Sequence, residues 1–192
     1  MDATAVVGGG DQVSGGTGKD GAERRIEMKV VVAIDDSDGS FYALKWALDN
    51  LFVPMATPEA TLASGGMVFL VHVHPKLFEY GYPVEAVFHT TAAALDSVKR
   101  AQEEASGAIL CRALQMCKDK LVKAETMILR GDPREMICHA AEQVHADLLV
   151  VGSRGLGPVS RTFLGSVSDY CANHAKTPVL IVKTPADDSD KQ

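Results

Sequence analysis

From Val151 the chain reads VGSRGLGPVSRTFLGSVSDY, a stretch that gathers the groups that bind phosphate. Four of the ten glycines beyond residue 21 lie in it: Gly152, Gly155, Gly157 and Gly165. Glycine admits positive φ and lets backbone N–H groups reach a ligand with no Cβ in the way. Successive N–H groups in such a turn form an anion-binding nest. Gly165, Ser166 and Val167 fall at the expected start of a helix, whose unsatisfied N–H groups and positive dipole end favour phosphate oxygens. Ser166 adds a hydroxyl, and Arg154 and Arg161 bring positive charge. A polyphosphate suits these groups best; the alternative is a tight strand-to-helix turn with no ligand. Asp35-Asp36 follows an apolar run at the place where an open doubly wound sheet binds its ligand, and an Asp there can also be merely a cap or turn residue.

Other chemistry-bearing spacings carry less. Gly15-Gly16-Thr17-Gly18-Lys19 is half a P-loop, but that motif needs Gly at 13 and Ser or Thr at 20, where the chain has Val13 and Asp20. His72 and His74 are two apart on an expected strand and so share a face, a usable metal-ligand spacing. No third ligand accompanies them, and packing or hydrogen bonding is the better reading. Asp35-Asp36 with Lys183 would suit a phosphoacceptor receiver domain, yet ADLLVV leads to Gly152 where the acceptor Asp would stand. Cys111, Cys117, Cys138 and Cys171 form no CxxC and have no His at a recognisable spacing, which fits free thiols in a reducing compartment.

These groups need a scaffold, and the apolar pattern supplies one. MKVVVAI (28–34), MVFLVHV (67–73) and LLVVG (148–152) are continuous apolar runs, the mark of strands buried on both faces. VKAETMIL (122–129) alternates charged and apolar residues, which suits a strand nearer the sheet edge, and PVLIV (178–182) closes the body. Between them, helical spacing follows Ser37 or Asp38 as cap, runs from about Thr91 to Lys118, and starts again at Asp132-Pro133-Arg134-Glu135. A last helix runs to about Ala175. Strands alternating with helices predict right-handed βαβ units, an α/β fold with an open, doubly wound, mainly parallel five-stranded sheet covered on both faces. Ligands of such sheets sit beyond the carboxyl ends of the strands where the order reverses. Here that crevice lies between Asp35-Asp36 and Gly152.

Composition narrows the class. The chain has 192 residues, 19 Lys+Arg and 25 Asp+Glu, a net charge of −6, and 46% apolar residues. These are globular values, and the acidic balance argues against a nucleic-acid partner. No apolar run approaches the ~20 residues of a membrane span, and MDATAVVGGGDQ lacks the basic and apolar regions of a secretory signal. A cytoplasmic location, with access to the nucleus, is the expectation. Residues 1–25, with seven glycines by residue 21, read as a flexible extension, 26–184 as one domain, and 185–192 as an acidic tail.

Gly152-x2-Gly155-x9-Gly165-Ser166 resembles the G-x2-G-x9-G-[S/T] nucleotide loop of the universal stress protein family. The similarity runs in order through VVVAIDDSDGSFYALKWAL, LVHVHP, GDPREMI, ADLLVVGSRG and PVLIVK, from residue 28 to residue 183. The excursion around 75–90 and the motif wording are most similar to plant single-domain members. The resemblance implies strand order 3-2-1-4-5, ATP or AMP as ligand, and a homodimer paired along the last strand, Val179 to Val182. It implies that Ala33 and Asp35 line the adenosine pocket, with Asp35 on the ribose hydroxyls, and that the Val73 backbone meets the adenine edge. Val151, Gly152, Ser153, Arg154, Gly155, Gly165, Ser166 and Val167 would meet ribose and phosphates.

Two functions follow. The first is a nucleotide-binding stress-response regulator whose occupancy shifts its conformation or partners. The second is a slow ATPase or phosphotransfer enzyme with Mg2+ accompanying ATP, for which Ser166 could reach the metal but no base is evident. A β-branched residue at Gly152 or Gly165 is expected to abolish binding and spare the fold.

Overall fold

The computed structural model describes residues 28–52, 66–74, 92–155 and 164–185. The glycine-rich extension, nearly all of the loop at 53–66, the excursion at 75–90, Gly157 and Arg161, and all but the first residue of the acidic tail lie outside the described residues. In chain order the elements are β1 (Lys29–Ala33), α1 (Asp38–Asn50), β2 (Met67–His74), α2 (Ala92–Asp119), β3 (Lys123–Arg130), α3 (Pro133–Gln143), β4 (Leu148–Gly152), α4 (Ser166–His174) and β5 (Val179–Val182). Every strand pairing is parallel and the order is β3-β2-β1-β4-β5. The order matches the one the resemblance implied.

Period-two alternation divides each central strand between two cores. Val30, Val32, Leu70, Val150 and Val182 face α1 and α2, packing with Leu44, Leu48, Leu110 and Ala113. Val31, Ala33, Val71, Leu149 and Val151 face α3 and α4, packing with Ile137, Ala140 and Cys171. Strands covered on both faces need apolar residues at every position, which is why β1, β2 and β4 read as unbroken runs. β3 lies at the sheet edge and alternates exposed and half-buried residues for most of its length. Truncating fully buried Leu44 or Leu149 to alanine would cost about 2–5 kcal/mol.

The caps follow local chemistry. Ser37, in extended conformation, caps α1 by accepting from the Ser40 N–H, and Asp38 falls inside the first turn. Asp132 caps α3 by accepting from the Arg134 N–H at 2.9 Å, with Pro133 in the first helical position and Glu135 in the first turn. No helix among the described residues is long and apolar enough to cross a membrane.

The two histidines of β2 are held within the protein. His72 Nδ1 is 2.8 Å from the Ile34 carbonyl oxygen, and His74 Nε2 is 3.1 Å from the Ser106 hydroxyl. Their rings meet edge to face at 5.3 Å. Among the described residues no group of three or more His, Cys, Asp or Glu is arranged to hold a metal.

Burial, then the nearby His72 and Arg130, hold the His74 imidazole below its ordinary 6.5, against a smaller opposite pull from Glu103. The unfolded chain therefore binds more protons than the folded one just below pH 6.5. Stability conferred by neutral His74 is complete above that value and falls as pH drops through the folded-state value. Thermal unfolding followed from about pH 7 to about pH 5 should lose midpoint more steeply for the wild type than for His74→Asn. Equal slopes would show that His74 is not the titrating group.

Candidate functional site

The β1 chain ends at the carboxyl edge of the sheet in a turn wound around Asp35. One carboxylate oxygen, Oδ1, accepts from the Ser37 N–H at 3.0 Å and from the Ser37 hydroxyl. Ser40 Oγ accepts from the Asp35 N–H at 3.2 Å and lies 3.0 Å from the carbonyl oxygens of Asp35 and Ser37. Ser37 and Ser40 are buried. This network spends Oδ1 on the protein. Oδ2 lies on the other side, and a Cβ placed on Gly155 would come within 2.8 Å of it.

The β4 chain leaves the sheet beside it. The Ser153 N–H donates to the Val182 carbonyl at 2.8 Å, anchoring the turn to β5. The Ser153 carbonyl accepts two donors, the Gly165 N–H at 2.8 Å and the Ser168 hydroxyl at 3.0 Å. Residues 155 and 165 of the glycine loop are thus brought back to one place, while 156–163 lie outside the described residues. Gly165 is the N-cap of α4 and, unlike Ser37 and Asp132, contributes no side-chain capping bond. The first intrahelical bond runs from the Asp169 N–H to Gly165, so the N–H groups of Ser166, Val167 and Ser168 precede it. Such groups, with the positive end of the dipole, form an anion site.

The sequence-derived residues largely converge here. Ala33 and Val151 are buried on the α3/α4 face of the sheet, and Val73 and Val167 pack partly buried against the same core. Val71 receives the Ile34 N–H, so by alternation the Val73 N–H and C=O also point toward the β1 side, past the end of β1. Ser166 is exposed, Arg154 half-buried and Gly155 exposed. The reason for the glycines differs from the expectation of positive φ. Among the described residues Gly131 is the glycine with positive φ, whereas Gly152, Gly155 and Gly165 are close to other atoms.

Sequence reasoning missed two members. Gly39 lies in the first turn of α1, and a Cβ there would sit 2.6 Å from the Arg154 carbonyl oxygen. A Cβ on Gly152 would in turn lie 2.9 Å from the Gly39 carbonyl carbon and oxygen. The α1 start and the β4 turn therefore touch backbone to backbone. The signal in the sequence is a glycine inside a helix start, Asp38-Gly39-Ser40, where propensity disfavours it. Ser168, only 2% exposed, is the other: it ties α4 to the turn after β4 through Ser153 and Gly165.

These contacts change the expectation for Gly152. A β-branched residue there strikes backbone, so loss of fold would accompany loss of binding. Gly39→Ala should destabilise by about 1–3 kcal/mol, whereas Gly107→Ala, in open space on α2, should stabilise by up to about 1 kcal/mol. Urea unfolding midpoints for the two variants check the contrast; equal shifts would deny the Gly39–Arg154 contact.

A family model, the universal stress protein family, matches residues 28–183. Universal stress protein YxiE of Bacillus subtilis is 30% identical over 162 residues, covering 81% of this chain and 98% of that protein. Of two Arabidopsis thaliana relatives, a universal stress protein A-like protein and PHOS34, the chain spans 42% and 63% of the length. Among solved structures, an Arabidopsis thaliana universal stress protein family protein with AMP bound has a TM-score of 0.58 at 24% identity, covering 85% of this chain and 96% of that one. A universal stress protein in complex with cAMP has a TM-score of 0.51 at 28% identity, covering 83% and 98%. With a matching model over residues 28–183 and the five-stranded order in place, the chain belongs to the universal stress protein family.

Proposed function

We propose that the protein is an adenine-nucleotide-binding regulator of the stress response that takes ATP or AMP in the crevice between β1 and β4. The observation that carries this reading is the α4 N-terminus: its capping residue is a glycine whose N–H is tied to the Ser153 carbonyl, two residues before Gly155, which lies against Asp35 Oδ2. The N–H groups of Ser166, Val167 and Ser168 receive phosphate oxygens, and the Ser166 hydroxyl adds a donor. Asp35 Oδ2 accepts from ribose hydroxyls, since an ionised carboxylate only accepts. Ala33 and Val151 line the apolar wall, and the Val73 backbone meets the adenine edge. Gly152, Ser153, Arg154 and Gly155 carry the ribose and phosphate side. With ATP bound, the Ser166 hydroxyl would offer an oxygen ligand to an accompanying Mg2+, which would neutralise phosphate charge. The relatives bound to AMP and cAMP carry the same class of ligand.

Denaturing the purified protein and weighing what is released tests the ligand directly: ATP or AMP is expected. An empty protein that also ignores added ATP would reduce the loop to a turn. Gly155→Val gives the cleaner variant, because among the described residues an added Cβ meets the movable Asp35 carboxylate and no backbone. Its affinity for ATP by calorimetric titration should fall about tenfold or more, which is about 1.4 kcal/mol, with the unfolding midpoint nearly unchanged. Undiminished affinity would sink the assignment.

The same reading includes a homodimer through β5. Val179, Leu180 and Ile181 are only half-buried on an edge strand, and apolar edges invite pairing. Light scattering at micromolar concentration should give twice the mass of the chain; a monomer would count against it.

A further inference from the structure

Two thiols unused by the nucleotide reading lie together where α3 meets α4. Cys138 of α3 and Cys171 of α4 are 33 positions apart in sequence, yet their Sγ atoms are 3.8 Å apart. Both belong to the core on the α3/α4 face; Cys171 is fully buried and Cys138 is 7% exposed. Cys117 is buried in the opposite core, and Cys111 is exposed on α2. None of the four is in a disulfide.

We propose that Cys138 and Cys171 are an oxidation site that closes to an intramolecular disulfide and ties α3 to α4. A disulfide holds its sulfurs about 2.05 Å apart, so closure from 3.8 Å needs about 1.8 Å of approach, shared between two packed helices. The ring so formed contains β4, the whole glycine loop and the first turn of α4.

The oxidant is a peroxide. The Cys138 thiolate attacks one oxygen of hydrogen peroxide, the O–O bond breaks, and the departing hydroxide takes a proton to become water, leaving a sulfenic acid. The Cys171 sulfur then attacks the sulfenic sulfur, the S–O bond breaks, and the Cys171 proton leaves with hydroxide as a second water. Two thiols lose two electrons in all, and one peroxide is reduced to two waters.

The order of events follows from the surroundings. Burial, followed by the neighbouring Cys138, pushes the Cys171 thiol up to about 12. Burial also raises Cys138, with a smaller contribution from the Glu142 charge, but a hydrogen bond with Cys171 acts in the opposite direction. Cys138 is the more accessible of the two and so meets the peroxide first, and Cys171 is the resolving thiol. Attack waits on a small opening of the α3–α4 contact, so the pair reacts more slowly than exposed Cys111.

The test uses the full chain carrying Cys111→Ser, which removes intermolecular products. Reduced protein is treated with hydrogen peroxide, alkylated in denaturant, digested and weighed with and without reductant. A reductant-sensitive peptide joining Cys138 to Cys171 is expected, in protein that runs as unlinked chains and melts roughly 10 °C higher than the reduced form. In the Cys171→Ser chain, Cys138 should instead accumulate as trapped sulfenic acid. Recovery of both thiols fully alkylated, or as sulfinic acids with no linked peptide, would overturn the proposal. Any accompanying change in nucleotide affinity rests on the proposed function and is read separately by titration; the linked peptide does not depend on it.

Discussion

The backbone contact between Gly39 and the turn after β4 governs the geometry of this protein's carboxyl edge. β1 and β4 are adjacent in the sheet, but β1 feeds α1 on one face while β4 feeds α4 on the other. At such a switch two turns must begin side by side and then diverge. Here the α1 start and the Gly152–Arg154 turn approach so closely that a side chain on either glycine would strike the other's backbone or that of Arg154. Once Gly39 and Gly152 have set that approach, the rest is chained to it. Ser153 is pinned to Val182 on one side and offers its carbonyl to Gly165 and Ser168 on the other, so the start of α4 is placed by the end of β4.

The three caps with known side-chain chemistry show how the same physical demand is answered differently at the site. Every helix begins with N–H groups that have no intrahelical partner. Ser37 and Asp132 answer with their own oxygens, and Asp35 supplies a further acceptor to the Ser37 N–H. At α4 the capping position holds a glycine, so a side-chain oxygen is missing where the fold otherwise provides one. Among the described residues no buried side-chain nitrogen or oxygen lacks a partner. Side-chain polar groups are thus satisfied internally in the core, while the N–H groups of Ser166, Val167 and Ser168 precede the first intrahelical bond of α4 at the end of the loop.

Much of the fold was legible because it rests on local pattern. The three apolar runs became the central strands, the charge alternation in residues 122–129 became the edge strand β3, and Asp132-Pro133 opened α3 as its chemistry dictates. The geometry at the carboxyl edge was legible only as positions: Ala33, Asp35, Val73, Val151, Gly152, Gly155 and Gly165 stand there. Its reasons were not. A glycine in a loop looks the same whether φ or space requires it, and only the neighbouring atoms decide; here Gly152 and Gly155 answer to space. Gly39 read as a weak helix former, because the atom it must avoid belongs to Arg154, over a hundred positions away. Cys138 and Cys171 gave no signal either: they sit on different helices with no local spacing to relate them.

An acidic protein that binds an anion needs donors that do not depend on its net charge. With a net charge of −6 and Asp35, Asp36 and Asp38 around the α1 start, a site built from point charges would be opposed by its own surroundings at range. Peptide N–H groups and a helix end escape this, because their fields are strong at contact and fall off within about a turn. On the proposed reading the same acidity becomes useful: Asp35, whose Oδ1 is taken up by Ser37, would repel an anion placed next to it but accept from neutral hydroxyls. A ligand that fits that reading would carry its charge at one end and hydroxyls at the other, separated by roughly the distance from α4 to the β1 turn. Inorganic phosphate meets half of that demand, and a nucleoside half of it. A nucleotide meets both, so on the proposed reading the arrangement would select by the order of groups along the ligand rather than by the amount of charge.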